Sequence, residues 1–426
     1  MRIGVIWAGI DERKRPQPYR TLHACVAGEP SEVRRFKMDD DIKEVEHYVQ
    51  QHLDTPDFYW FVSGGATVYL DNINNERLIS GQWFYPDFST ILHSWCYEDE
   101  GVVSDDDLLR FTAHLQKFFD RGRDLFGVEY SKSSIVSGYA KAIKSDISCQ
   151  GLTGLSDEAE GRFMAALSEI TRDEWVTVKN AKHDINARPI ECSLPHVELA
   201  RDMLKHPVPD EPKWREVSSS EFDLEKEISE KRAFIGRFVF NEKGKSPSLE
   251  KYRSVLPPNW RGDASSDGGF YLTSVEAYYI YETLMFPIEK ADTGSFFVYD
   301  GELHIPSQSD VLNKFPVMAQ FSPTYDLCAH HIVCALCMGD GVPGGKRSAL
   351  NAWMMSHVRM MLMEYAYNFL QHDGLSVSGY GLNDVKLRAL YPDAALAVGA
   401  RGLVLPHSFF RGHITFIRDL KLLAAV

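Results

Sequence analysis

Apolar residues recur at helical spacing along much of the chain, and each such stretch predicts a helix with a buried face. In the first three quarters these stretches are residues 41–53, 104–126, 156–170, 195–204, 221–234 and 273–286. Ser104 with Asp107 has the spacing of a capping box, which predicts where the second of these helices begins. In the last quarter, residues 328–338 predict a buried helix, and residues 348–371 predict one that is apolar on most sides.

Short apolar runs bounded by glycine or polar residues predict strands. They lie at residues 2–7, 58–62, 67–70, 82–95 and 236–240. Between two of these runs, Ser63-Gly64-Gly65 favours a hairpin turn over a phosphate-binding loop. Residues 296–305 predict a second hairpin, because Asp300-Gly301 suits a turn that needs positive φ.

A proline-rich and serine-rich segment at residues 206–220 predicts a linker. The predicted fold class is α/β or α+β. A domain with a mixed sheet is expected over residues 1–205. An α+β segment that contains the hairpin follows over residues 221–322, and a helix-rich domain with six of the fifteen histidines covers residues 323–426.

The charge and the cysteine content indicate which partners and which cellular compartment to expect. The net charge of -14 should repel nucleic acid and membranes at long range. From Pro323 onward, nine Lys and Arg stand against seven Asp and Glu, so this quarter is near +2 and the rest near -16. That shift favours nucleic-acid contact in the last quarter. No apolar run reaches ~18 residues, and seven scattered cysteines are typical of reduced thiols, so we expect a soluble cytoplasmic protein with no membrane span.

Cysteine and histidine concentrate in the predicted helix at residues 328–338. In a helix His330, Cys334 and Cys337 would share one face at i, i+4 and i+7, close to Cys328. Thiolate and imidazole are ligands that zinc prefers, so these four residues form an alternative metal site. The core-like residues between them favour a buried helix with ordinary thiols.

The glycine-rich stretch at residues 339–348 leads into the next helix and carries Lys346 and Arg347. Glycines and cations at a helix start can cradle an anion. The stretch departs from the phosphate-loop pattern, since Asp340 occupies the first glycine position and Arg347 follows the lysine where Ser or Thr is needed. A plain loop between two helices is the competing interpretation.

Four short motifs follow one another in the last quarter: Ala329-His330-His331-Ile332-Val333, Gly381-Leu382-Asn383-Asp384, Gly402-Leu403-Val404-Leu405-Pro406 and Arg411-Gly412-His413. Together they resemble the successive signatures of the AHH branch of the HNH (ββα-metal) nucleases. That family places such domains at the C-terminus of bacterial toxin-like proteins. This sequence departs from the family pattern at Arg401, where asparagine is expected, and at Cys334, which replaces a proline.

The resemblance implies a metal-dependent nucleic-acid hydrolase, with DNA or RNA as its partner and Mg²⁺, Mn²⁺ or Zn²⁺ as its cofactor. Phosphodiester cleavage needs a base that deprotonates water and a cation that neutralises charge on the phosphoryl group. The expected site residues are of three kinds: His331 (base or ligand) and His330 for catalysis, His407 and His413 for metal, and Lys346, Arg347 and Arg411 for phosphate.

Residues 341–345 with Ser348 resemble the nucleotide-selecting loop of viral polymerase palms. Polymerases need two metal-binding carboxylate clusters, and downstream only Asn383-Asp384 stands near the expected pair. We therefore expect no active polymerase. The alternative to the hydrolase is a non-enzymatic interaction or assembly protein, in which the helix at residues 348–371 packs against a partner or a second copy of the chain.

Overall fold

The computed structural model describes residues 2–10, 19–28, 33–37, 41–67, 69–80, 104–126, 153–172, 176–177, 188–193, 196–240, 255–256, 269–283, 288–306, 313, 315, 323–338, 347–371, 375–381 and 384–389. The chain forms two compact units. Unit 1 is Met1–Ala142 with Val317–His331, and unit 2 is Ile143–Pro316 with Ile332–Val426. Both contain helices and strands, and the N-terminal sheet is mixed, so the predicted α+β class is confirmed.

Unit 1 is built on a mixed sheet. Its described strands are β1 (Arg2–Ile10), β2 (Tyr19–Val26), β3 (Val33–Lys37), β4 (Phe58–Val62) and β5 (Leu78–Ser80), in the order β3-β2-β1-β4-β5. β2 is antiparallel to β1 and β3, whereas β4 is parallel to β1 and β5. The strands predicted at residues 2–7 and 58–62 are therefore confirmed.

One face of this sheet is covered by α1 (Ile42–Leu53). The helix buries Val45, Val49 and Leu53 in the core on that face. Trp60 of β4 lies fully buried in the same core and donates its indole N–H to the carbonyl oxygen of Val49 at 3.1 Å. An apolar helical stripe thus meets one side of a strand.

The strand predicted at residues 67–70 and the hairpin turn before it are wrong. A short helix, α2 (Gly64–Thr67), directly follows β4. The carbonyl oxygen of Ser63 accepts the N–H groups of Ala66 and Thr67, which closes a helical turn. β1 and β5 occupy the two edges of β4, so no edge remains for a hairpin partner.

The other face of the sheet is covered by α3 (Asp105–Phe126), which packs against β1, β2 and β3. The predicted capping box begins this helix: the Ser104 hydroxyl accepts the Asp107 N–H at 3.1 Å, and the Asp107 carboxylate accepts the Ser104 N–H at 3.3 Å. Phe119 stacks on Phe61 of β4, with ring centroids 5.1 Å apart. β4 is covered on both faces, which explains its unbroken apolar sequence.

Unit 2 contains the remaining described strands in three sheets. The strands are β6 (Val176–Thr177), β7 (Arg188–Ser193), β8 (Val208–Pro209), β9 (Trp214–Val217), β10 (Phe234–Phe240), β11 (Phe270–Thr273), β12 (Ile288–Lys290), β13 (Phe296–Tyr299), β14 (Leu303–His304), β15 (Leu375–Tyr380) and β16 (Asp384–Ala389). The sheet orders are β11-β10-β13-β9 with β12 on β10, β14-β8, and β6-β15-β16-β7.

The other described helices follow the predicted stretches closely. They are α4 (Asp157–Ile170), α5 (His196–Met203), α6 (Leu224–Ser229), α7 (Ser274–Tyr278), α8 (Pro323–Met338) and α9 (Ala349–Leu370). The helices predicted at residues 156–170, 195–204, 328–338 and 348–371 are confirmed, as are those at residues 41–53 and 104–126. None of the described helices is long and apolar enough to cross a membrane.

Residues 206–220, predicted as a linker, instead contain β8 and β9. Trp214 of β9 is 5% exposed and contacts the rings of Phe163, Tyr299 and Trp353. The prolines therefore shape short connections inside unit 2, because the residues around them pack into its core. The chain passes from unit 1 to unit 2 after Ala142.

The hairpin predicted at residues 296–305 is wrong as well. β13 pairs with β9 and β10, whereas β14 pairs with β8. All four residues of β13 are buried. Because two other strands occupy the edges of β13, the strand after Asp300-Gly301 pairs elsewhere.

Two predicted helices are shorter than expected. Residues 221–234 contain α6, but Lys231 has a φ of 53° and the chain enters β10 at Phe234. Residues 273–286 contain α7 and the π-helical turn Tyr279–Thr283. The strands predicted at residues 82–95 lie outside the described residues.

α9 is the central helix of unit 2. Thirteen of its residues are buried, and it packs against α4, α5, α7, β8, β11, β15 and β16. Contacts within the unit account for its apolar sequence, and assembly through this helix stays a prediction.

A buried polar network fixes the position of α9. Arg359 donates hydrogen bonds to the Glu276 carboxylate and to the carbonyl oxygen of Ile170, both at 2.5 Å. The Thr273 hydroxyl donates to the Ser356 hydroxyl at 2.8 Å. Complete burial raises the pKa of Glu276, and the guanidinium of Arg359 opposes that rise.

Candidate nucleic-acid interface

The sheet β6-β15-β16-β7 has an apolar face and a polar face. On β15 and β16, the side chains of Leu375, Val377, Val385 and Leu387 are buried, and α9 packs against both strands. The intervening residues Ser376, Lys386 and Arg388 are partly or fully exposed. This alternation is typical of a sheet covered on one side. We call the side of Ser376, Lys386 and Arg388 the polar face.

A β-bulge turns the end of β15 toward the apolar side. The register shifts between Val377 and Gly379, which makes Ser378 the extra residue. Tyr380 is consequently 2% exposed, and its hydroxyl donates to the carbonyl oxygen of Val255 at 2.7 Å. Without the bulge, alternation would put this tyrosine on the polar face.

Lys386 lies at the centre of the polar face. Its register partners are Gly379 on β15, which has no side chain, and Glu191 on β7. Asp384, two residues earlier on β16, is opposite Ser193. The register positions of both carboxylic acids therefore adjoin that of the lysine, about 5 Å away across the strands and about 6.6 Å away along β16.

The polar face carries cations along one strand. Arg388 is two residues beyond Lys386, and its register partners are Ser376 and Pro189, neither of which is acidic. The end of the face near Arg388 is therefore cationic, while Lys386 stands beside the acidic register positions. An anionic chain would meet both cations and the Ser376 hydroxyl.

The residues predicted for catalysis lie in the middle of α8. His330 is 8% exposed, and Cys328 and Cys337 are fully buried and form no disulfide. The helical conformation that brings His330, Cys334 and Cys337 to one face is confirmed, but the side chains of His331 and Cys334 are outside the described set. Where side chains are described, no group of three His, Cys, Asp or Glu could hold a metal ion.

Four predicted site residues lie outside the described part of the chain: Lys346, His407, Arg411 and His413. Arg347 is half-buried and directly precedes Ser348, whose hydroxyl caps α9 by accepting the Asn351 N–H at 3.4 Å. The metal and phosphate roles, and the resemblance to HNH nucleases, stay predictions.

Two histidines that the sequence did not single out come together in unit 2. His206 and His357 stack with ring centroids 3.7 Å apart and an interplanar angle of 10°. Burial, followed by the charge of His206, lowers the pKa of His357 to about 3. The imidazole of His357 is therefore neutral near pH 7 and cannot attract phosphate by charge.

The strands β15 and β16 were not predicted from the sequence. The alternation of Leu375, Ser376 and Val377, and that of Val385, Lys386 and Leu387, is the signal that could have revealed them. In the motif Gly381-Leu382-Asn383-Asp384, Gly381 follows β15 and Asp384 begins β16.

No family model matches this chain, and no curated protein matches it. Its structure is similar to that of Phi29 DNA polymerase. The complex with primer-template DNA and the complex with single-stranded DNA each give a TM-score of 0.52, and the orthorhombic crystal form gives 0.50. Each match has 9% sequence identity and covers 91% of this chain and 80% of that chain. The chain thus shares a fold with a DNA polymerase.

Proposed function

We propose that the protein binds nucleic acid on the polar face. The shared fold carries this proposal: it extends over 91% of the chain, and the matched polymerase is seen with primer-template DNA and with single-stranded DNA. A fold does not by itself imply a function. The chemistry must therefore come from residues of this chain.

The cations of the polar face suit a phosphate backbone. Lys386 and Arg388 are two residues apart on one strand, hence about 6.6 Å apart. Phosphate oxygens accept hydrogen bonds from Lys, Arg and Ser side chains, and such contacts position a strand without reading its sequence. Ser376, the register partner of Arg388, adds a hydroxyl donor beside the guanidinium.

The overall charge limits the affinity. A net charge of -14 repels DNA or RNA at long range, so binding depends on the local cations and on low salt. Each phosphate contact by Lys or Arg adds about 0.9 to the slope of log affinity against log salt. Two cations should contribute a slope of about 1.8.

The test measures binding of fluorescently labelled primer-template and single-stranded oligonucleotides by anisotropy, between ~50 and ~200 mM salt. The double variant Lys386→Ala/Arg388→Ala should lower the salt slope by about 2 and weaken binding at least tenfold at the lower salt. The same loss for many oligonucleotide sequences is expected, because phosphate contacts carry no base information.

A matched control removes two cations from unit 1. Lys37 and Lys43 are both exposed, and Lys37→Ala/Lys43→Ala changes the net charge equally. This control should retain the wild-type slope. Equal losses in both variants would mean that net charge alone matters, and no binding at low salt by the wild type would refute the proposal.

The motifs of the last quarter support a second candidate, the metal-dependent hydrolase. Its expected base or ligand is His331, with His330, His407 and His413 as further site residues. The same oligonucleotides and a supercoiled plasmid are incubated with Mg²⁺, Mn²⁺ or Zn²⁺. Nicking that is lost in His331→Ala would support the hydrolase, and no cleavage with any metal would end it.

A further inference from the structure

DNA polymerases use divalent metal ions, so the fold raises the question of whether residues of the polar face could hold such ions. Polymerases and nucleases with two metals hold them about 3.5–4 Å apart and use them to clamp the attacking and leaving oxygens. Such a centre needs several carboxylates that converge on one point, with no competing cation between them.

The donor set of the polar face does not fit that need. Between residues 374 and 383 the sequence contains no carboxylate, and β15 ends in Gly379-Tyr380, whose tyrosine is turned inward to Val255. The acids of β7 and β16 are Glu191 and Asp384, and Lys386 is the register partner of the first and the near neighbour of the second. An ammonium group at this position repels a divalent cation.

We infer that Lys386 supplies the positive charge that a metal ion supplies elsewhere, so that the polar face holds a phosphate backbone without divalent metal and without adding nucleotides. The inference rests on the proposed nucleic-acid binding. By register, Lys386 adjoins the strand positions of Glu191 and Asp384. Its charge therefore offsets theirs, and an ammonium group has three donors for phosphate oxygens. Gly379, the register partner of Lys386 on β15, has no side chain that could pair with the lysine.

The test compares binding of a labelled primer-template in EDTA with binding in Mg²⁺, at equal ionic strength. Wild-type protein should have the same dissociation constant in both buffers and should not extend the primer with nucleotides present. Lys386→Ala should weaken binding about tenfold in EDTA. Because it leaves Glu191 and Asp384 without the lysine, Mg²⁺ should restore part of that loss.

Two further variants separate the explanations. Lys386→Arg keeps the charge and should keep metal-independent binding. Glu191→Gln/Asp384→Asn removes two negative charges near the phosphate and should tighten binding in both buffers. If these acids held metal ions, the same double variant would weaken binding in Mg²⁺. Circular dichroism of each variant checks the fold.

The outcomes distinguish this inference from the proposed function. Absence of binding in every buffer overturns the proposed function and with it the inference. Binding by the wild type in Mg²⁺ but not in EDTA, or primer extension, overturns the inference alone. Unchanged binding of Lys386→Ala in EDTA also overturns it.

Discussion

The mixed sheet of unit 1 and the sheet β6-β15-β16-β7 of unit 2 differ in how they are covered. α1 and α3 cover the two faces of the first sheet, and its central strand β4 reads Phe-Tyr-Trp-Phe-Val. In the second sheet, β15 and β16 place alternate residues against α9. Among the described residues of the opposite side, Lys386 is exposed and Ser376 and Arg388 are partly exposed. A sheet covered twice is a core element, whereas a sheet covered once has a face that can bind.

The difference separates stability from binding. Substitutions in β4 should change the free energy of unfolding, because every residue there contacts a packed layer. Substitutions on the polar face should change binding and leave unfolding nearly unaltered. The following predictions test this contrast, beginning with the largest expected effect.

Trp60→Ala should lower the free energy of unfolding by about 3–5 kcal/mol, because it removes a fully buried indole and its hydrogen bond to Val49. Urea unfolding followed by circular dichroism measures the loss. Substitution of Gly4 by any larger residue should also destabilise this core, because a Cβ there would lie 2.3 Å from the Trp60 ring. A loss below ~1 kcal/mol for Trp60→Ala would show that this face is not a packed core.

Acidification should destabilise unit 2 through His357. Its folded pKa of about 3 lies below the ordinary value of 6.5, so the unfolded chain binds a proton first as the pH falls. Stability is retained above pH 6.5 and decreases from there toward pH 3, by at most about 1.4 kcal/mol per pH unit. His357→Gln should flatten this slope, and His47→Gln on the exposed side of α1 should not. If the free energy of unfolding depended equally on pH in the His357→Gln and His47→Gln variants, His357 would not be the cause of the acid destabilisation.

Tyr380→Phe should lower the free energy of unfolding by about 1–2 kcal/mol, because the buried carbonyl oxygen of Val255 loses its donor. Thermal unfolding measures the effect. The side chain lies on the apolar side, so at a temperature where the variant is folded its affinity for oligonucleotides should equal that of the wild type. If Tyr380→Phe weakened binding without lowering stability, the Tyr380 side chain would have to lie on the polar face and not on the apolar side.

Lys386→Ala/Arg388→Ala should change the free energy of unfolding by less than ~0.5 kcal/mol, although it should weaken binding. Val385→Ala, next to Lys386 in the sequence but on the buried side of β16, should cost clearly more stability and leave the salt slope of binding unchanged. Urea unfolding and anisotropy on the same preparations measure both quantities. A large loss of stability in the double variant would mean that the polar face is part of the core.

Helices and their starts were readable from the sequence, because they depend on residues three or four apart. The capping box at Ser104 and the apolar stripe of α1 need no distant partner. Strand pairing was not readable. Asp300-Gly301 is a good local turn, but the edges of β13 are taken by β9 and β10, which lie elsewhere in the chain.

The candidate site divides in the same way. The sequence drew attention to histidines and glycines of the last quarter. Of these, His330 and His331 lie inside α8, whereas His407, His413 and the glycines at residues 339–345 lie outside the described residues. The polar face was not predicted because each of its strands is short. The role of a charged residue such as Lys386 also depends on which residues the strand register places beside it. Register with β7 brings it beside Glu191, almost two hundred residues earlier.

From its sequence alone, this protein was determined to be an α/β or α+β chain with amphipathic helices, an acidic body and a slightly basic last quarter. Those properties depend on composition and on periodicities of a few residues. Only the tertiary structure decided which strands pair, that α9 is buried on nearly all sides, and that one sheet keeps a polar face. Pairing joins residues far apart in the chain, and the cost of closing such loops is recovered only when the whole core packs together.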